Sequence, residues 1–163
     1  MCVLDYLFIK KFLSETKNII ITTHKTPDGD ALGSSLGLFH ALKNKHNVSV
    51  IVPNEYPHCL KWLPGNSDII IYEGNELEAD KLLDQSDLIF CLDFNKISRV
   101  ATMMNVLKSN KSYKIMIDHH QDPDDFCNQV LSNSSIASTA ELIHDFLFNL
   151  DLKLTNRYIF CQF

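Results

Sequence analysis

Asn18-Ile-Ile-Ile-Thr-Thr-His24-Lys-Thr-Pro-Asp28-Gly-Asp30-Ala-Leu-Gly33-Ser34 is the stretch whose reading decides the fold. Its first half is a short β-branched run that fits a strand. From about Gly29 to His46, Leu32, Leu36, Phe39 and Leu42 recur on one face of a helix. Pro27 and Gly29 shape the turn between them, and Gly33 permits close packing of the helix. The stretch is therefore a strand–loop–helix unit. Working outward, residues 2–14 suggest an amphipathic helix, Val48 to Val52 a strand, Ile69 to Tyr72 another and Leu77 to Leu83 a short helix. Leu88 to Leu92 is a continuous apolar run suited to a strand buried on both faces. Ser98 to Leu107 returns to helix, Lys114 to Ile117 to strand and Ala137 to Leu150 to helix, with Ser138 and Glu141 as a capping box. Alternation of this kind predicts an α/β fold: a mostly parallel, doubly wound, Rossmann-like sheet with helices on both faces.

The chain has 163 residues, 45% hydrophobic and 21% charged, which suits one well-cored domain and leaves no room for a second full one. A net charge of −5 argues against the broad basic surface that holds duplex nucleic acid. No apolar run approaches membrane-spanning length, and Asp5, Lys10 and Lys11 break up the apolar N-terminus, so it does not read as a signal peptide. Five widely spaced cysteines without a C-x-x-C pair argue against a disulfide framework and against a zinc site. A reducing, cytoplasmic setting is expected.

Open α/β sheets bind ligands at the carboxyl ends of their strands. The opening stretch delivers His24, Asp28 and Asp30 to that edge, although a plain polar turn with Asp30 near a helix N-terminus explains them as well when taken alone. Two further strands end in the same style, one running into Asp93 and the other into Asp118-His119-His120. A carboxylate at such a place needs a cation, a hydrogen-bond network or solvent. Three strand ends bearing His and Asp at one edge favour metal binding, and a carboxylate-rich set without thiolate suits manganese or magnesium. A pair of such ions roughly 3.5–4 Å apart can bridge a phosphate, lower the pKa of a bound water and stabilise the leaving oxygen, which suits phosphoester hydrolysis.

These residues resemble the DHH phosphoesterase superfamily, named for the triplet that stands here as Asp118-His119-His120. The resemblance covers nearly the whole chain: its first motif matches His24, Asp28 and Asp30, its second Asp93 and its third the triplet. It is closest to the branch of bifunctional oligoribonucleases (nanoRNases) and pAp phosphatases. The resemblance implies two manganese ions, with magnesium as the alternative. It implies that His24 and Asp28 bind one ion, Asp30 and His119 the other, and that Asp93 bridges them. His120 would face the substrate phosphate, stabilising charge or donating a proton, and Asp118 would orient a histidine. The implied substrates are short single-stranded RNA or DNA oligonucleotides or small nucleotides such as pAp; a homodimer is left open. Residues 1–163 are expected to form the catalytic domain, incomplete at its C-terminal end. The family's further strand-end Asp and its smaller substrate-binding domain are expected to be missing from this stretch, whose last apolar residues Tyr158, Ile159 and Phe160 read as the start of a strand.

Other candidates weigh less. Arg99 follows Asp93 closely and could reach a substrate phosphate, although a surface or helix-terminal arginine is an equally good account. His40, His46, His58 and His144 read as packing or surface residues, and Ser138, Thr139 and Glu141 as a helix cap, although the resemblance implies that this segment often lines the site. Within the family the rival activities are a cyclic-dinucleotide phosphodiesterase, a RecJ-like exonuclease and a manganese pyrophosphatase. Outside enzymes, the rival is a non-catalytic metal- or nucleotide-binding fragment.

Overall fold

The computed structural model describes residues 4–152. The reading of Tyr158, Ile159 and Phe160 as the start of a strand lies outside the described residues. In chain order the elements are α1 (Tyr6–Phe12), β1 (Asn18–Thr23), α2 (Gly29–Leu42), β2 (Asn47–Val52), β3 (Ile69–Ile71), α3 (Glu76–Asp84), β4 (Leu88–Leu92), α4 (Met104–Ser109), β5 (Tyr113–Asp118), β6 (Gln129–Ser132) and α5 (Thr139–Asn149). The strands form one sheet in the order β3-β2-β1-β4-β5-β6, with every pairing parallel. This is the doubly wound arrangement, and its strand order reverses between β1 and β4.

Alternation along the strands explains why both faces are covered. Ile19, Ile21, Phe90, Leu92, Ile115 and Ile117 point to one face, where they pack with Leu32, Leu36, Phe39 and Leu42 of α2 and Ile143, Phe146 and Leu147 of α5. Phe90 meets Phe146 edge-on, with ring centroids 5.6 Å apart. Ile20, Ile51, Ile89, Cys91 and Met116 point to the other face, against Ala79 and Leu83 of α3 and Leu107 of α4. Each fully buried aliphatic or aromatic side chain contributes about 1.5–3 kcal/mol, so the sheet centre carries a large share of the burial energy of the described residues. Among the described residues no helix is long and apolar enough to cross a membrane, and Cys59, Cys91 and Cys127 are free thiols.

The structure departs from the predicted elements in three places. The helix expected over Ser98 to Leu107 is a 3-10 segment, Ile97–Met103, followed by α4, with the backbone broken at Ala101 (φ 49°). Apolar spacing at Val100, Met103 and Leu107 looks helical because all three are buried, but a left-handed residue interrupts the ladder. Strand β6 was not expected: it is a four-residue edge strand with three half-buried positions, too short for a periodicity to emerge. Helix α2 stops at Leu42 and not at His46, because β2 begins at Asn47 and the amides of Lys45 and His46 turn back to the Leu42 carbonyl.

Candidate metal centre

The switch point between β1 and β4 puts His24, the residue after β1, beside Asp93, the residue after β4. Both are buried. The His24 loop is tied down at two points: the Lys25 amide donates to the Arg99 carbonyl (2.7 Å), and the Thr26 amide donates to Asn54 Oδ1 (2.7 Å). Asp28 caps α2 by accepting from the Ala31 amide through Oδ1 (3.0 Å), which leaves Oδ2 4.0 Å from His24 Nε2. Asp93 has a left-handed backbone (φ 62°), and its amide donates to the Ile117 carbonyl (3.1 Å), so its side chain is set by the neighbouring strand.

The two oxygens of Asp93 face opposite ways. Oδ2 is 3.4 Å from His24 Nε2, whereas Oδ1 is 3.5 Å from His119 Nε2 and 4.0 Å from His120 Nδ1. Two groups of ligand atoms, each within 4.8 Å, therefore share this carboxylate: His24, Asp28 and Asp93 on one side, and Asp93, His119 and His120 on the other. Asp30 lies against the second group, its Oδ2 3.8 Å from His119 Nε2. Both Asp30 oxygens also accept main-chain bonds from the start of α5, at Thr139 (2.7 Å) and Ala140 (2.9 Å). Each keeps a second lone pair.

The donor set fits divalent cations. His24 points Nδ1 at the Lys25 carbonyl (2.8 Å) and His119 points Nδ1 at the Ile136 carbonyl (3.3 Å), so both rings turn Nε2 to the shared carboxylate. Anchoring of the far ring nitrogen is the usual setting of a metal-binding imidazole. Burial lowers the proton affinity of His24, but the Asp93 carboxylate and the Lys25 carbonyl outweigh it and leave the pKa raised. Burial, with Asp93 nearby, raises the pKa of Asp30 against the opposing pull of the Thr139 and Ala140 amides. Crowded acids that hold on to protons in this way are relieved by a cation.

His120 and Arg99 form the outer side. Asp118, fully buried, accepts from the His120 amide through Oδ2 (2.9 Å) and faces His120 Nδ1 through Oδ1 (2.7 Å). The carboxylate makes Nδ1 the donor, so Nε2 accepts from Arg99 Nη1 (3.1 Å). All eight sequence-predicted residues thus lie in or against one cluster.

The family model described as the DHH family, N-terminal domain, matches residues 18–159. The chain belongs to the DHH family. The DHH chain is 33% identical over 137 residues to the bifunctional oligoribonuclease and PAP phosphatase NrnA of Thermus thermophilus, covering 84% of this chain and 38% of that protein. It is 30% identical over 150 residues to the cyclic-di-AMP phosphodiesterase GdpP of Bacillus subtilis, covering 85% and 22%. The crystal structure of an exopolyphosphatase-related protein from Bacteroides fragilis superposes with a TM-score of 0.86 at 42% identity, covering 89% of this chain and 43% of that one. The chain thus spans less than half the length of these relatives.

One side chain of the DHH site was set aside at the sequence level. Thr139, read there as part of a helix cap, donates its hydroxyl to Asp93 Oδ1 at 2.8 Å. The capping reading is also right for its neighbour, since Ser138 Oγ accepts from the Glu141 amide (3.3 Å). No local pattern could reveal the Asp93 contact, which spans 46 positions.

Proposed function

We propose that the chain is the catalytic domain of a manganese-dependent phosphoesterase acting on short oligonucleotides and on pAp. The observation that carries this reading is the division of the Asp93 oxygens between two imidazole-bearing ligand groups at the switch point of the sheet. Likeness to NrnA, at 33% identity, supports the substrate class. In this reading His24 and Asp28 would hold one ion, Asp30 and His119 would hold the other, and Asp93 would serve both. Bound divalent ions supply charge against the phosphoryl oxygens and lower the pKa of a water.

The chain's own residues do the rest. His24 and His119 present Nε2 because main-chain carbonyls hold Nδ1. Arg99, half-buried beside His120, receives a non-bridging phosphate oxygen by charge-assisted hydrogen bonds. Its departure from His120 Nε2 frees that nitrogen to take up a proton from solvent, which the imidazolium then donates to the leaving oxygen, and Asp118 keeps the ring oriented while this happens. The net charge of −5 fits a short substrate and not a duplex.

A second reading, hydrolysis of a cyclic dinucleotide, is favoured by the 30% identity to GdpP. The test is to incubate the chain and manganese with a diribonucleotide, pAp and cyclic di-AMP in parallel. Release of mononucleotide or phosphate from the first two, abolished by Asp93→Asn, is expected. Preferential opening of the cyclic substrate would select the second reading, and manganese binding without any turnover would make the chain a non-catalytic metal-binding module.

A further inference from the structure

We infer that Thr139 is a positioning residue of the metal centre, its hydroxyl fixing the rotation of the Asp93 carboxylate so that one oxygen serves each ligand group. The inference rests on the two-ion reading above and deepens it. Asp93 is 2% exposed and Thr139 is fully buried, so the bond between them is shielded from bulk solvent. At 2.8 Å, Thr139 Oγ1 makes the shortest contact of the Asp93 side chain; the imidazole nitrogens stand at 3.4, 3.5 and 4.0 Å. Those longer spacings leave the two carboxylate faces open while the hydroxyl holds the plane.

The same residue ties down a second acid. The Thr139 amide donates to Asp30 Oδ2 at 2.7 Å and the Ala140 amide to Asp30 Oδ1 at 2.9 Å. The Ile136 carbonyl, three residues earlier, receives His119 Nδ1. Three of the proposed ligands, Asp30, Asp93 and His119, are therefore braced from one short stretch, residues 136–140, at the head of α5. Serine and threonine both supply the hydroxyl; alanine and valine do not. Removing a partner that orients a metal ligand typically weakens metal affinity about 10–100-fold.

The experiment measures manganese binding calorimetrically, and the electron paramagnetic resonance of the bound ions, in the parent chain, Thr139→Ala, Thr139→Ser and Thr139→Val. Thr139→Ala and Thr139→Ser lose the same methyl group and differ by the hydroxyl, so a common packing loss cancels between them. The expected result is that Thr139→Ser keeps two ions with a spin-coupled spectrum and near-parental affinity. Thr139→Ala and Thr139→Val then bind the second ion about 10–100-fold more weakly and show an uncoupled single-ion signal. Equal affinity and equal coupling in Thr139→Ser and Thr139→Ala would overturn the role of Thr139 while leaving the two-ion reading intact. A parent chain that binds no manganese would overturn both.

Discussion

Strands β4 and β5 lie side by side and each delivers a buried acid to the same edge of the sheet, yet the two acids are satisfied in different ways. Asp118 is closed within its own turn: the amide and Nδ1 of His120, two residues on, take one oxygen each, at 2.9 and 2.7 Å. Asp93 has one close donor, Thr139, drawn from a distant part of the chain, and three imidazole nitrogens too far away for good hydrogen bonds. A buried carboxylate that the protein satisfies by itself is structural. One that the protein leaves half satisfied among imidazoles calls for a cation.

The largest expected effect follows from exchanging the roles of these acids. Asp93→Asn keeps a residue that tolerates the left-handed backbone at this position, and it is expected to lower hydrolysis by more than about 100-fold, beyond what loss of an outer partner produces. Comparison of kcat/KM for the parent and the variant checks this; a fall of only a few-fold would erase the distinction between the two strand ends. Next in size is metal-dependent stability. Manganese at about 100 times its dissociation constant is expected to add about 2.7 kcal/mol per ion. In the parent chain that appears as a rise in Tm of several degrees, and in Asp93→Asn as little or none.

Metal-free stability sharpens the contrast in the other direction. Asp118→Asn turns an amide donor toward one of two donors on His120 and is expected to cost about 1–3 kcal/mol in chemical denaturation. Asp93→Asn in the same metal-free chain is expected to cost less. If the order were reversed, Asp93 would be the structural acid.

The smallest effects are in pH. The His24 pKa is raised above its ordinary value because Asp93 and the Lys25 carbonyl outweigh burial. The folded metal-free chain therefore holds that proton more tightly than the unfolded chain; the stabilisation is complete below the ordinary histidine pKa and is lost as pH rises through the raised value. Remote from both acids, His46 has the opposite sign. Burial, then Lys45 and Lys17, lower its pKa, so its contribution is present above the ordinary value and lost as pH falls through the lowered one. Chelated protein followed by denaturant melts across pH 5–8 should lose the first dependence in Asp93→Asn and keep the second.

The apolar runs Ile19–Ile21, Leu88–Leu92 and Ile115–Ile117 could be read as strands from sequence, and Leu88–Leu92 as one buried on both sides, because both faces of the sheet are covered. The site residues followed from the same logic, since an acid or histidine placed directly after such a strand has only one edge to occupy. What escaped depended on partners distant in sequence. Gln129–Ser132 becomes a strand because β5 offers it an edge. The Ile97–Met103 segment loses its helix where the backbone turns left-handed at Ala101, just after Arg99 accepts the Lys25 amide. Thr139 meets Asp93 only when α5 packs against α2 and β5, which brings its first turn to the residue after β4. His120 appears in the second ligand group beside His119, with Asp30 held against it by the start of α5, a distinction that no spacing encodes.

The most direct test of the account is an anomalous difference map at the manganese edge from crystals grown with manganese. Two peaks are expected, one on each side of the Asp93 carboxylate and about 3.5–4 Å apart, with His24 and Asp28 at one and His119 at the other. Peaks elsewhere, or none touching Asp93, would contradict the claim that this strand end is built around a pair of cations.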